Sequence, residues 1–184
     1  MCDGTPSVVC LGFFDGVHRG HLALLRAARQ EADRRGLPVC AHTFDPAPGN
    51  KGPELTTLEE REALLRAAGA DIVAVTPFDD AMRHTSGEDF FRQIVLGRLH
   101  AAHVVCGDDH RFGYRGGCGI TELRALCAQA RVGLTVVPPV TLPDGARISS
   151  TGLRQALMAG DLCLARDMLG REPSPRMLAL CPAP

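Results

Sequence analysis

Short apolar runs alternate along this chain with longer stretches in which apolar residues return every third or fourth position. The runs at residues 7–11, 38–44, 71–75, 103–106 and 134–137 are rich in valine and read as five strands. Residues 22–28 carry the i, i+3, i+4 spacing of a helix, and Gly36 stands where a left-handed cap closes it. Thr57-Leu58-Glu59-Glu60 has the form of a capping box and opens a helix that ends at Gly69. Ser86 is placed to cap a helix through Phe90, Phe91, Ile94 and Val95, and residues 120–131 form the next. Ser149-Ser150-Thr151 leads a short helix to Ala159, and Gly160 and Asp161 separate it from a last one ending near Leu169. A loop rich in proline and glycine spans residues 45–53. Strands separated by helices predict an α/β fold: a Rossmann-like, doubly wound parallel sheet of about five strands with helices on both faces. Such sheets bind ligands at the carboxyl ends of their strands, where the glycine-rich and polar segments of this chain fall.

Composition narrows the function classes. At 184 residues, 45% hydrophobic and 22% charged, the chain reads as one soluble domain, residues 1–184. A net charge of −1 argues against a nucleic-acid surface. No apolar run reaches membrane-span length, and no signal-peptide pattern opens the chain, so a cytoplasmic protein is expected. The eight cysteines contain no C-x-x-C pair, and Cys10, Cys40 and Cys106 fall in or beside strands, so they are expected to be reduced core thiols.

The segment Gly12-Phe13-Phe14-Asp15-Gly16-Val17-His18-Arg19-Gly20-His21 lies where the first strand turns into a helix. Free first-turn N–H groups and the positive end of the helix dipole favour an anion there. Gly12, Gly16 and Gly20 allow close approach of a ligand to the backbone. On spacing alone, two histidines three apart are also compatible with a metal pair or with surface residues. No third ligand follows at zinc spacing, and G-x-G-x-x-G is absent, which disfavours a metal pair and a dinucleotide fingerprint. A second anion site is expected at Ile148-Ser149-Ser150-Thr151-Gly152-Leu153-Arg154, where hydroxyls open a helix and Arg154 offers a planar fork one turn in. The plain alternative is that Ser150 or Thr151 caps the helix and Arg154 is solvated. Asp15 has three possible roles: orienting a histidine, helping to hold a metal, or, with a slight edge, bonding the loop backbone.

The complete first string resembles the G-x-F-D-G-x-H-x-G-H signature of the prokaryotic FAD synthetases, a branch of the H-x-G-H nucleotidylyltransferases. Thr43-Phe44-Asp45-Pro46-Ala47-Pro48 resembles their T-F-D-P-H-P loop, and Gly107-Asp108-Asp109-His110-Arg111-Phe112-Gly113 their G-x-D/N-F-x-F-G loop. Leu169-Gly170-Arg171-Glu172-Pro173 is similar to the L-G-R-P segment where the adenylyltransferase module ends. The resemblance implies transfer of AMP from ATP to FMN, giving FAD and pyrophosphate. His18, His21 and Arg154 would be catalytic. Gly12, Phe13, Asp15, Gly16, Gly20, Ser150 and Thr151 would bind ATP, which brings Mg²⁺ with it. Phe44, Asp45, Pro46, Pro48, Asp109 and Phe112 would border the flavin. Ala47 and His110 depart from the family pattern, at a histidine and a phenylalanine respectively. The riboflavin kinase barrel that follows in most bacterial members is expected to be absent. Two rivals are transfer to another phosphorylated acceptor and a flavin- or nucleotide-binding module without turnover; the sequence leaves the oligomeric state open.

Overall fold

A computed structural model describes residues 4–49 and 52–182. In chain order the elements are β1 (Ser7–Leu11), α1 (Arg19–Arg35), β2 (Val39–Asp45), α2 (Leu58–Ala67), β3 (Ile72–Pro77), α3 (Asp80–His84) and α4 (Gly87–Asp89). α4 runs directly into a π-helical segment, Phe90–Arg98. Then come β4 (Ala101–Gly107), α5 (Ile120–Ala130), β5 (Gly133–Val137), α6 (Ser150–Met158), α7 (Leu162–Leu169) and α8 (Pro175–Leu178).

The five strands form one sheet in the order β3-β2-β1-β4-β5, and every pairing is parallel. β1 pairs with β2 on one side and β4 on the other, so the winding direction reverses at β1. Its residues are buried throughout, as a central strand covered on both faces requires. One face is covered by α1 and α2, which bring Leu24, Leu25, Ala28 and Leu65 against Val8, Cys10 and Ala41. The other is covered by the π-helical segment and α5, where Phe91, Val95 and Leu123 meet Val9, Leu11 and Val104. A separate apolar cluster joins Leu55 and Ile148 to Leu153 and Leu157 of α6 and Met168 of α7. Cys10 and Cys106 are free thiols inside the core, and burial pushes the Cys106 thiol up to about 12.

Several predicted boundaries hold because their causes are local. Gly36 closes α1 with φ 65°, and Thr57 and Glu60 make both capping-box hydrogen bonds, of 3.1 and 2.8 Å. The expected α-helix after Ser86 is instead one turn of α-helix followed by π-helix. Cys2 lies outside the described residues. Among the described residues no helix is long and apolar enough to cross a membrane.

Candidate active site

β1 ends at Leu11, and the chain must turn sharply before α1 can start. The turn uses unusual backbone: Phe14, Gly16 and Val17 have φ of 61°, 80° and 40°. A β-branched residue at positive φ is a strained choice that persists only when its surroundings enforce it. Here the enforcement is visible. The Asp15 carboxylate is buried and accepts from the N–H groups of Leu55 and Thr56, at 2.9 and 3.1 Å, and from the Arg154 guanidinium at 2.8 Å. The Ser150 hydroxyl donates to the Asp15 carbonyl at 2.8 Å. Arg171 donates to the carbonyls of Gly16 (2.7 Å) and Val17 (2.8 Å).

The turn delivers two histidines. His18 is the N-cap of α1, and its Nδ1 accepts from the His21 N–H at 3.4 Å. In a neutral ring this leaves Nε2–H as the donor. The two imidazoles stack at 3.7 Å between centroids and 17° between planes, and Phe14 packs edge-on against His21. A Cβ on Gly20 would lie 3.0 Å from His18 Nδ1, so the glycine of this motif makes room for the stacked ring. Burial, and then the nearby Arg171 charge, push the His18 pKa down to about 4. Burial, then His18 and Arg171, hold His21 well below its ordinary value. Both rings are therefore neutral near pH 7, and His21 Nδ1 is buried without a partner.

These histidines open into a cavity of about 1040 Å³ along the carboxyl ends of the strands. Its two flanks differ in chemistry. Beyond β2 and β3 the wall is aromatic. Phe44 meets Phe78 edge-on at 5.4 Å and His42 edge-on at 4.8 Å. Phe112 completes that wall, with Phe90 6.0 Å away. Beyond β4 and β5 the wall is polar: Arg147 pairs with Asp108 at 2.6 Å and Asp109 at 3.1 Å. Between the flanks lie the His18–His21 pair and the start of α6.

Most residues expected to contact ligand line this cavity: Gly12, Phe13, Asp15, His18, Gly20 and His21 on the first loop, and Ser150, Thr151 and Arg154 on α6. Phe44, Pro48, Asp109 and Phe112 line it as well. Three residues do not. Gly16 faces Leu55, and its N–H and carbonyl are given to Thr56 and Arg171, so it shapes the turn rather than meeting a ligand. Asp45 and Pro46, joined by a cis peptide, end β2 outside the cavity wall. Two assignments also change in kind. The true N-cap of α6 is Ser149, whose Oγ accepts from Gly152 N–H, which leaves Ser150 and Thr151 inside the first turn. Arg154 is 7% exposed, and although it lines the cavity, its Nε and Nη2 are committed to the Pro53 carbonyl and Asp15 (2.8 Å each).

Sequence reading assigned no role to three cations. Arg171 and Arg147 act on segments far from them in sequence; the Leu169–Pro173 segment drew attention to the first only as a motif, and adjacency to the Ile148–Arg154 motif to the second. Arg61 of α2 is fully buried, lies 4.3 Å from the Phe13 ring centroid and donates to the Phe44 carbonyl at 3.1 Å. It ties the turn after β1 to the end of β2, which carry the central and aromatic parts of the site.

Comparison with known proteins places this geometry. The family model for FAD synthetase matches residues 3–152. A bifunctional riboflavin kinase/FMN adenylyltransferase of Listeria monocytogenes is 36% identical over 170 residues, covering 89% of this chain and 53% of that protein. Its Escherichia coli K12 counterpart is 36% identical over 170 residues, covering 89% and 54%. The chain thus spans about half the length of the curated relatives it matches. A crystal structure described as a macrolide-efflux protein from Streptococcus pneumoniae superposes with a TM-score of 0.80 at 29% identity, over 91% of this chain and 56% of that one. Pantoate-beta-alanine ligase from Francisella tularensis, at 14% identity, 89% and 69% coverage and a TM-score of 0.51, shares the fold. The strained turn after β1, its stacked histidines and the sheet that carries them all fall within the matched residues, and the chain belongs to the FAD synthetase family.

Proposed function

We propose that this chain is an FMN adenylyltransferase: an FMN phosphate oxygen attacks the α-phosphorus of ATP, the bond to pyrophosphate breaks, and FAD forms. The observation that carries the reading is the position of the His18–His21 stack, between an aromatic flank and a polar flank in one cavity. Phosphoryl transfer asks little covalent chemistry of a protein; positioning and charge stabilisation dominate. His18 Nε2–H and His21 would hydrogen-bond the α-phosphate oxygens as charge grows on them. Thr151, exposed at the first turn of α6, and the backbone N–H of Ser150 would hold the departing phosphates, the Ser150 hydroxyl being committed to the Asp15 carbonyl. Phe44 and Phe112 would border the flavin ring, together with Pro48 and Asp109. Arg154 acts here as a positioning residue, holding Asp15 and through it the strained turn.

Mg²⁺ is proposed to arrive on ATP. Asp15, Asp108 and Asp109 are each paired with an arginine, and no three candidate ligands cluster among the described residues. The side chains present do not form a metal cage, so no step above runs through the ion. The substrates proposed are ATP and FMN, without nucleic acid or membrane.

The test is an HPLC assay of the pure chain with FMN, ATP and Mg²⁺, with pyrophosphate release measured in parallel for riboflavin, pantetheine phosphate and nicotinamide mononucleotide. FAD from FMN alone is expected. Pyrophosphate release with another acceptor would reassign the reaction, and no turnover with any would sink it.

A further inference from the structure

The aromatic flank contains two histidines that the reaction above does not use. His42 rises from β2 at the cavity floor, and its Nε2 is answered by the Thr76 hydroxyl at 2.8 Å, which also accepts from Arg98 at 3.0 Å. No protein group among the described residues answers the Nε2 of His110, on the loop after β4, and that atom is buried. The ring is nonetheless held in a defined plane, stacked on Phe112 at 5.8 Å between centroids and 16° between planes. A buried polar atom without a partner is a cost that folds retain where a ligand or strain explains it. The His110 backbone is not at positive φ.

Another part of the wall supplies no substitute. Ala47 carries no polar side-chain atom, and its N–H is already donated to Glu54 Oε1 at 3.2 Å. Of the two buried imidazoles in this aromatic flank, only His110 has an Nε2 that no protein group among the described residues answers. We propose that His110 is a specificity residue that hydrogen-bonds the polar edge of the acceptor's heteroaromatic ring, so that the chain selects a planar ring bearing edge nitrogens or carbonyls over an equally flat hydrocarbon face. The proposal rests on the reading that this flank takes the acceptor. Burial holds the His110 pKa at about 4, so the neutral ring offers one donor and one acceptor throughout the working pH range.

The test measures FMN affinity by flavin fluorescence quenching for the wild type, His110→Phe and His110→Gln, with thermal melting to verify folding. The same proteins are titrated with 5-deaza-FMN, 1-deaza-FMN and 3-methyl-FMN, each of which alters one polar edge atom. His110→Phe keeps the flat ring and the stack on Phe112 but removes the nitrogens. It is expected to weaken FMN by about 5- to 10-fold, with kcat and the KM for ATP unchanged, while His110→Gln recovers part of the loss. One analogue should lose a similar factor on the wild type and little on His110→Phe. Unchanged FMN affinity in His110→Phe overturns the proposal, as do equal analogue losses on both proteins. FAD formation is followed in the same samples: a wild type that binds FMN but makes no FAD defeats the adenylylation reading, and the affinity comparison still decides the role of His110.

Discussion

Two helices point their N-termini at the same cavity, and they are built on opposite principles. α6 starts as most helices do: Ser149 caps it in extended geometry, and its first turn is unstrained. α1 starts from a loop with three residues at positive φ, is capped by a histidine, and has no acidic residue in its first turn. The difference is one of dependence. The α6 start is capped by its own residues, whereas the α1 start is held through Asp15 by Leu55, Thr56 and Arg154, and by Arg171, all from elsewhere in the chain. The strain lies next to the two histidines, and Leu55, Thr56, Arg154 and Arg171, which support it, lie outside the motif that carries them.

The comparison can be broken most broadly by acid. The α1 start contributes two buried neutral histidines, and the aromatic flank two more. Burial, first in each case, depresses His18 and His110 to about 4 and His42 to about 3, and His21 is also well below its ordinary value. The unfolded chain takes up protons at these rings below about 6.5, where the folded chain does not. Stability is therefore full above pH 6.5 and falls as the pH drops toward 4, by up to about 1.4 kcal/mol per pH unit for each ring. Chemical denaturation at pH 7.5, 6 and 5 checks this, and a flat profile would contradict the buried neutral histidines.

Asp15→Ala comes next. It removes the bolt between the two helix starts and leaves Arg154 buried without its counter-charge, so a loss of about 3–5 kcal/mol in unfolding free energy is expected. A cost below about 1 kcal/mol would mean that the turn does not depend on Asp15. His21→Ala is the narrowest of the three, because it leaves the bolt intact. Turnover should fall by about 10²–10³ while ATP affinity changes little, since the contact matters most in the transition state. A loss of ATP affinity matching the whole loss of rate would instead make His21 a ground-state binder.

What the sequence made legible follows the same division between local and distant causes. Strand runs, Gly36 and the Thr57–Glu60 box are short-range devices, and they appear where expected. α3 has five residues, too few to show a helical period. The π-helical segment carries an apolar pattern resembling that of an α-helix, with Phe90, Phe91 and Val95 in the core, so spacing alone does not separate the two. Asp15 as a loop organiser was readable, since aspartate in a turn finds backbone donors. The pairing of Arg154 with Asp15 was not, because the partner that captures it is 139 residues away. The grasp of Arg171 on Gly16 and Val17 spans still more chain.

That last contact bears on where the working unit ends. The sheet is complete at Val137, and the stretch matched to the family model stops at residue 152. Arg171 lies beyond both, past α7, yet its two hydrogen bonds hold the carbonyls immediately before His18. A piece trimmed to the sheet and its covering helices would keep every strand and both histidines while losing the clasp that aims them. For engineering purposes the boundary of this module is set by its histidine-bearing loop, not by its core.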